Sequence, residues 1–390
     1  MTSPTTSAEG PRPHKKWVLL SVSIFFVVCG LGYLIYWLGW GQFSESTNDA
    51  YVNGNMIVLT PQEEGIVTTI YVDNTQFVEA GQPILELDRH DYEIVLEKAR
   101  ADLADTLRFV TQLFIKVEEL QAKLEVSRAH VYRASLDYEH RKVLVTDGSV
   151  SLEDYEHSET AFLAAIASLR ETQQELKGAQ AEVENTTIFT HPKVEQAKAM
   201  LRKAFLGLHR CTVRAPTKGI ITQRKAQVGQ WVHAADPLMA LVPMDQIWVD
   251  ANFREVSLKN LRIGQSVELI ADMYGSKVKF HGEVVGLNPG TGSIFSILPP
   301  QNATGNWIKI IQRIPVKINL IPSEIIENPL VLGLSMTVYV DTHDRNGPRL
   351  PKASSSKPIY TSDVYADELF GAEEIIEKII IKNTLEYDKN

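Results

Sequence analysis

The sequence predicts an α+β multidomain chain. It comprises an N-terminal transmembrane helix, a small β-sandwich split by an inserted antiparallel coiled-coil hairpin, and a β-barrel domain. Three observations carry this expectation: an uncharged apolar run near the N-terminus, a gapless repeat flanking a long helical stretch, and a series of short alternating strands after the second copy. The expected boundaries are a cytoplasmic N-terminus (1–16), the anchor (17–40), the first sandwich half (45–88) and the hairpin (89–210, tip 144–152). The second sandwich half (211–244), the barrel (245–342), and a linker with C-terminal tail (343–390) follow.

The anchor reads WVLLSVSIFFVVCGLGYLIYWLGW from Trp17 to Trp40. Roughly 24 uncharged residues suffice to cross a hydrocarbon core of about 30 Å as a tilted helix. Arg12, His14, Lys15 and Lys16 precede it while Glu45 and Asp49 follow, which places the short N-terminus in the cytoplasm by the positive-inside bias. Trp17, Tyr33, Tyr36, Trp37 and Trp40 supply interfacial aromatics. A cleavable signal peptide fits less well, because the run exceeds the apolar core of such peptides and no small-x-small site follows. Cys29 follows Val28, where lipoprotein processing needs a small residue, so a buried apolar thiol is the simpler reading.

Gly65, Ile66, Thr68, Gln76, Val78, Ala80, Pro83 and Leu87 recur without a gap as Gly219, Ile220, Thr222, Gln230, Val232, Ala234, Pro237 and Leu241. Each copy reads as short strands punctuated by Gly and Pro. Neither copy can close a core alone, since a few short strands leave one sheet face bare, so the two are expected to pair. Between them, Leu103, Thr106, Val110, Leu113, Val117, Leu120, Leu124, Ser127, Val131, Ala134 and Tyr138 follow a 3,4 spacing, the seam of an antiparallel coiled coil. A helix from Asp91 to Val145 would extend about 80 Å. The break falls at Thr146 to Val150, and Ser151 with Asp154 three residues on restarts a helix. The returning seam runs through Phe162, Ile166, Leu169, Leu176 and Val183, is interrupted near Asn185 to Ile188 and at Pro192, and resumes at Val194, Leu201, Phe205 and Leu208. Such a rod is either a plain spacer or a docking arm.

Downstream, segments at 247–253, 265–270, 277–280, 283–285, 307–311, 315–318 and 336–340 read as strands, several alternating at period two, and imply a compact barrel. Trp248 and Phe253 are expected in its core. A Pro-, Ser- and Gly-bearing linker then leads to Leu369, Ile375, Ile376, Ile379 and Ile380 at helical spacing. This last segment either packs back on a neighbouring domain or forms a mobile tail.

Composition narrows the function. With 39 Lys plus Arg against 48 Asp plus Glu, the net charge of −9 argues against a nucleic-acid surface, which needs a dominant basic face. Two cysteines exclude a multi-disulfide scaffold and a Cys-based zinc site. No phosphate-cradling glycine loop, nucleophile elbow or His-Glu-x-x-His helix occurs, so neither an enzyme nor a cofactor is expected. His90, His130, His140, His157 and His191 lie in or beside the hairpin among polar neighbours and read as solvated surface residues.

These parts together resemble the periplasmic adaptor (membrane fusion) proteins of the HlyD type, which carry a lipoyl/biotinyl-like domain split by a helical hairpin. The motifs TNDAYV at 47–52, RAPTKG at 214–219, WVDANFRE at 248–255 and above all PQNATGNWIK at 300–309 are similar to the EmrA-type multidrug-export branch. The first three are shared across adaptors, the last is more specific, and the resemblance spans essentially residues 15–345. It implies a single-pass inner-membrane adaptor whose bulk is periplasmic, linking a major-facilitator, proton-driven drug antiporter to a TolC-like outer-membrane channel, without a catalytic step. An adaptor must enclose a conduit, so self-association into an oligomeric ring or tube is expected. Fatty acids, bile salts and uncouplers are compatible with this branch.

Many adaptors of this type carry Arg-x3-Leu-x6-Ser at the hairpin tip. Leu144 and Ser151 keep the latter spacing, while His140 occupies the Arg position and Arg141 follows one residue later, rotated by about 100° around the helix. His140, Arg141, Leu144 and Ser151 are therefore the candidate channel-docking residues. Gln301, Asn302, Asn306 and Trp307 read either as contacts to an amphipathic drug or the transporter, or as a barrel loop satisfying its own backbone. Two rivals differ in class. A biotin or lipoate carrier would present a modifiable Lys on the turn where this chain inserts its hairpin, and an adaptor of an ABC-driven type I protein secretion system would usually carry a longer hairpin.

Overall fold

The computed structural model describes residues 13–39, 41–292, 294, 311–351 and 356–384. Helix α1 (Pro13–Gly39) leads into strand β1 (Ser44–Gly54). Strands β2 (Ile57–Leu59), β3 (Gly65–Ile70), β4 (Phe77–Val78) and β5 (Pro83–Leu87) precede helices α2 (His90–Thr146), α3 (Leu152–Val183) and α4 (Pro192–Arg210). The chain continues as β6 (Thr212–Arg214), β7 (Gly219–Thr222), β8 (Trp231–Val232), β9 (Met239–Val242), β10 (Ile247–Arg254) and β11 (Ser266–Ala271). It ends with β12 (Phe280–Leu287), β13 (Arg313–Leu320), the short helix α5 (Pro322–Glu327), β14 (Ser335–Asp341) and α6 (Phe370–Thr384). Two compact units result, the first gathering Met1–Ile57, Lys218–Thr222 and Ala240–Thr361, the second Val58–Thr217, Gln223–Met239 and Ser362–Asn390.

In the first unit, α1 is long and apolar enough to cross a membrane, with a mean hydropathy of 2.5 in the span beginning at Trp17. The barrel is closed in the order β1-β10-β13-β12-β11-β14. Its core follows from period-two alternation: Ile247, Val249, Ala251 and Phe253 on β10 point inward with Val267 and Leu269 of β11 and Val338 and Val340 of β14. β1 corrects the expected boundary at residue 45, since it pairs with β10 (Ala50↔Ala251) and β14 (Ser44↔Asp341) rather than joining the first sandwich half. Only Thr47, Ala50 and Val52 of β1 are buried, and the strand is otherwise polar. A polar network ties it to the barrel: Asp49 takes an ion pair from Arg313 at 2.9 Å and a hydrogen bond from Asn252 at 3.2 Å, and the Thr47 hydroxyl donates to the Asn252 carbonyl at 3.0 Å. In place of the expected strands at 277–280 and 283–285 there is one strand, β12, which begins only at Phe280 after a tight turn at Gly275–Lys277. Residues 307–310 lie outside the described residues. Phe253 is buried as expected, but Trp248 is not a core residue. It sits on the alternate face of β10, donates from Nε1 to Asp250 at 3.1 Å, and carries the Lys317 ammonium 3.8 Å above its ring.

In the second unit, one four-stranded sheet runs β6-β5-β3-β8, so strands from both copies of the repeat interleave in one sheet. Val67 pairs with Leu87 within the first copy, and Gly65 pairs with Val232 of the second. The copies share local chemistry too. Gln76 accepts from the Asp73 amide at 3.0 Å and Gln230 from the Gln227 amide at 3.1 Å, each closing a turn whose third residue, Thr75 or Gly229, has positive φ. Arg224 then grips the first-copy turn through Asp73 at 2.8 Å, and its backbone amide donates to the Asn74 side chain at 2.9 Å.

The hairpin is built on α2, whose 57 residues extend about 85 Å. Leu103, Val110, Leu120 and Leu124 are buried as the seam requires; Leu176 of α3 meets Leu120 and Leu124, while Leu103 and Val110 share a cluster with Val194 and Leu201 of α4. Ser127 and Thr172 form a hydrogen-bonded polar rung at 3.2 Å. The return is broken where expected, between Val183 and Pro192. His191 corrects the solvated-surface reading: it is buried, caps α4 by accepting from the Lys193 amide at 3.2 Å, and reaches the Glu182 carbonyl through Nε2 at 3.2 Å. The C-terminal segment packs back. Ala372 and Ile376 of α6 are buried in one cluster with Leu96, Leu103 and Leu107 of α2 and Val194 and Leu201 of α4. Arg202 pairs with Glu373 at 2.6 Å and Arg210 with Glu368 at 3.1 Å. A Cβ at Gly371 would stand 2.7 Å from the tip of the Phe205 ring, so a larger residue there would require that ring to shift.

Candidate functional site at the hairpin tip

The tip forms because two helices end and begin within a short turn. α2 stops at Thr146, and Gly148, with φ at 73°, donates its amide to the Val145 carbonyl at 3.2 Å. Ser151 begins α3: its hydroxyl accepts from the Asp154 amide at 3.1 Å and donates to the Asp154 carboxylate at 2.6 Å. This is the cap that the spacing predicts. Asp154 also lies in the first turn of α3, where the helix dipole favours a carboxylate.

Behind the turn, aromatic packing fixes how the two helices meet. Tyr138 stacks on Tyr155 and on Phe162, each with ring centroids 5.6 Å apart. The two tyrosine hydroxyls share a hydrogen bond at 3.2 Å, and that bond, together with burial, pushes the Tyr155 pKa up. Lys142 lies 5.7 Å from the Tyr138 ring centre.

The four candidate docking residues separate into different states. Arg141 faces inward: it is paired to Asp137 at 3.2 Å and donates to the Asp154 carbonyl at 3.1 Å, bridging the two helices. Its guanidinium therefore holds the tip together. His140 is exposed on the adjacent face. Leu144 is 41% exposed, and Ser151, although exposed, has its hydroxyl committed to the cap. Two further apolar residues reach solvent here, Val143 at 62% and Leu152 at 64% exposure. Both fall off the 3,4 seam spacing, and an apolar residue off the seam at the end of a solvated rod is the signal that marks them. Gln301, Asn302, Asn306 and Trp307 lie outside the described residues. Among the described residues, no group of three or more His, Cys, Asp or Glu could hold a metal ion.

An apolar N-terminal helix, a hairpin inserted between two copies of a β-repeat that share a sheet, and a closed barrel define the architecture of a membrane fusion adaptor. The EMRA alpha-helical hairpin domain matches residues 90–211. The chain is 39% identical over 373 residues to the probable multidrug resistance protein EmrK of Escherichia coli (strain K12), covering 95% of this chain and 96% of that one. It is 40% identical over 349 residues to the multidrug export protein EmrA of the same strain, covering 90% of each. To the fatty acid resistance protein FarA of Neisseria gonorrhoeae it is 35% identical over 373 residues, covering 94% of this chain and 95% of that one. The chain belongs to the EmrA-type branch of the HlyD family of membrane fusion proteins. It is an efflux adaptor and not an enzyme.

Proposed function

We propose that this chain is the adaptor subunit of a tripartite multidrug efflux system, linking an inner-membrane proton-driven drug antiporter to a TolC-like outer-membrane channel. The N-terminus is cytoplasmic, α1 is a single membrane span, and the bulk of the chain is periplasmic. The observation that carries the reading is the hairpin tip, a rigid capped turn at the end of a rod about 85 Å long that presents Leu144, Val143 and Leu152 to solvent. A solvated rod contributes little to the stability of the sheet at its base, whereas an apolar tip is suited to burial against a partner. Leu144 supplies the apolar docking contact, His140 the polar one, and Arg141 and Ser151 act by holding the turn. The conduit is completed by self-association into a ring or tube. Amphipathic molecules are the cargo, a reading supported by the naming of FarA as a fatty acid resistance protein. Gln301, Asn302, Asn306 and Trp307 remain the proposed contact to such a molecule or to the transporter.

Deletion of the gene should sensitise cells to hydrophobic toxicants, with resistance restored by the intact chain and not by Leu144→Asp. Unchanged susceptibility in a strain whose partner antiporter is demonstrably active would overturn the assignment. Cysteines placed at 144 and 152 that capture no outer-membrane protein on crosslinking would remove the tip from the docking role.

A further inference from the structure

Topology fixes which end of the barrel faces the exit of α1. Only residues 40–43 separate Gly39, the last residue of α1, from Ser44, the first of β1. That connection spans about 17 Å at most, and Gly41–Phe43 form a tight turn that shortens it, so the Ser44 end of the barrel stays within reach of a headgroup layer. β1 pairs antiparallel with both of its neighbours, Ser44 opposite Asp341 and Ala50 opposite Ala251. The connection from β10 to β11 and the segment that leaves β14 therefore emerge at this same end. Side chains tie them to it: Asn260 donates to Glu45 at 2.9 Å, the Thr342 amide donates to the Phe43 carbonyl at 2.8 Å, and His343 stacks on Phe43 with ring centroids 4.4 Å apart.

Cations converge on these two segments. Arg262 donates from Nη1 to the Lys259 carbonyl at 3.0 Å and to the Leu261 carbonyl at 2.7 Å, and Arg349 donates from Nη2 to the same Lys259 oxygen at 3.3 Å. The two guanidinium nitrogens are thus at most 6.3 Å apart, on the turn that carries the Lys259 ammonium. Carbonyl dipoles orient these charges without neutralising them, so an anion placed between them is attracted by all three. Among the described residues, Lys259, Arg262 and Arg349 form no ion pair, and neither does Arg345, whose guanidinium lies 5.4 Å from the Phe43 ring centre. Carboxylates at this end are engaged elsewhere: Glu45 by Asn260, Asp341 by His343, Asp344 by the Asn346 amide at 2.9 Å, and Asp49 by Arg313. Glu255 and Glu283, the remaining two, pair with none of the four cations. On the same segments Val256 and Leu350 are 66% and 57% exposed. Exposed apolar side chains among cations are the composition of a surface that rests in a lipid interface.

We propose that this end of the barrel binds anionic phospholipid headgroups of the leaflet from which α1 emerges, with Lys259, Arg262 and Arg349 around a phosphate and Val256 and Leu350 directed at the acyl boundary. Guanidinium groups present their N–H donors to phosphate oxygens in matching geometry, and the ammonium adds a point charge. The tether selects the occupant, because a bilayer is the surface that a four-residue connection keeps beside these cations. Bound headgroups would hold the barrel upright on its short connection to α1. The inference rests on α1 being a membrane span, as proposed above.

The test uses the full-length chain with Cys29→Ser and Leu350→Cys, labelled with an environment-sensitive fluorophore while buried Cys211 stays unlabelled. It is reconstituted into vesicles of phosphatidylcholine alone or mixed with phosphatidylglycerol, each containing a trace of lipid with a nitroxide on its headgroup. Emission should shift to the blue and be quenched several-fold more in the phosphatidylglycerol vesicles, and high salt should remove that difference. Adding Lys259→Glu and Arg349→Glu should abolish it as well; the lipid and salt comparisons on the unsubstituted surface stand whether or not that variant folds. A label that stays in water in both vesicles would overturn the proposal, and equal quenching in both would replace the cation site by a purely apolar contact. Relief of quenching by inorganic phosphate, at an ionic strength where chloride has no effect, would assign the cluster to free phosphate instead. Extraction of the chain from the vesicles by alkaline carbonate would refute the membrane span itself, whereas retention without quenching refutes only this surface.

Discussion

Ile376→Ala tests whether the C-terminal helix braces the hairpin root. Ile376 is buried, at 3% exposure, in the cluster that joins α6 to α2 and α4. Truncating a buried isoleucine to alanine costs about 2–5 kcal/mol. The 15 residues of α6 form too short a helix to be stable alone, so its order depends on docking, and a loss of about 3 kcal/mol removes most of what holds it. That loss lowers the docked fraction more than a hundredfold. Hydrogen exchange followed by mass spectrometry is the assay. Amides of α6 should exchange roughly a hundredfold faster in the variant, with a smaller rise around Leu103, Leu107 and Leu201, while the barrel strands around Phe253 and Phe280 keep their protection. Unchanged exchange in α6 would refute the claim that Ile376 anchors it. Uniform loss of protection through both units would refute the claim that α6 docks as a separable element.

The same brace carries a pH dependence. The Arg202 hydrogen bond holds the Glu373 carboxyl below the ordinary glutamate range, so its contribution is present at neutral pH and is lost only as pH falls below that range, to be followed as rising α6 exchange on acidification. Ser151→Ala removes the α3 cap and should cost about 1 kcal/mol, visible as faster exchange of the Glu153 to Tyr155 amides with the hairpin otherwise intact. Cys211 is buried and its pKa is pushed up to about 11, first by burial and next by Glu63, so a maleimide at pH 7.5 should modify it only after denaturation. Arg141→Ala should loosen the tip through loss of its bonds to Asp137 and Asp154, and Arg141→Lys should restore little, because an ammonium lacks the fork that reaches both.

The hairpin was legible because its periodicity is local. Leu103 to Tyr138 states the seam, Ser151 and Asp154 state the restart, and Pro192 states the interruption, each readable within a few neighbouring residues. β1 was not legible as a barrel strand. Its inward residues are only Thr47, Ala50 and Val52, and its partners are far away in sequence, so no local window separates it from the neighbouring repeat. Trp248 misled for a related reason: β10 alternates clearly, but an aromatic side chain on the outer face is stabilised by Asp250 and Lys317, neither of which hydrophobicity reveals. His191 was misread because a buried imidazole that caps a helix has the same polar sequence neighbours as one in solvent. At the tip, spacing located Leu144 and Ser151, but which way Arg141 turns is set by Asp137 and the Asp154 carbonyl on the facing helix.

The position of β1 also has a consequence for how the chain is made. β1 pairs Ala50 with Ala251 and Ser44 with Asp341, so the barrel joins residues about 200 and about 300 positions apart and cannot close until nearly the whole chain has emerged. The hairpin between them consists of contacts close in sequence along each helix and can form early, since local contacts are reached quickly and distant strand pairing slowly. During synthesis, β1 therefore waits with unpaired edges while everything between its partners is made. Its polar side chains, Ser46, Asn48, Asp49 and Asn53, make it a poor template for pairing with a neighbour's strand during that interval.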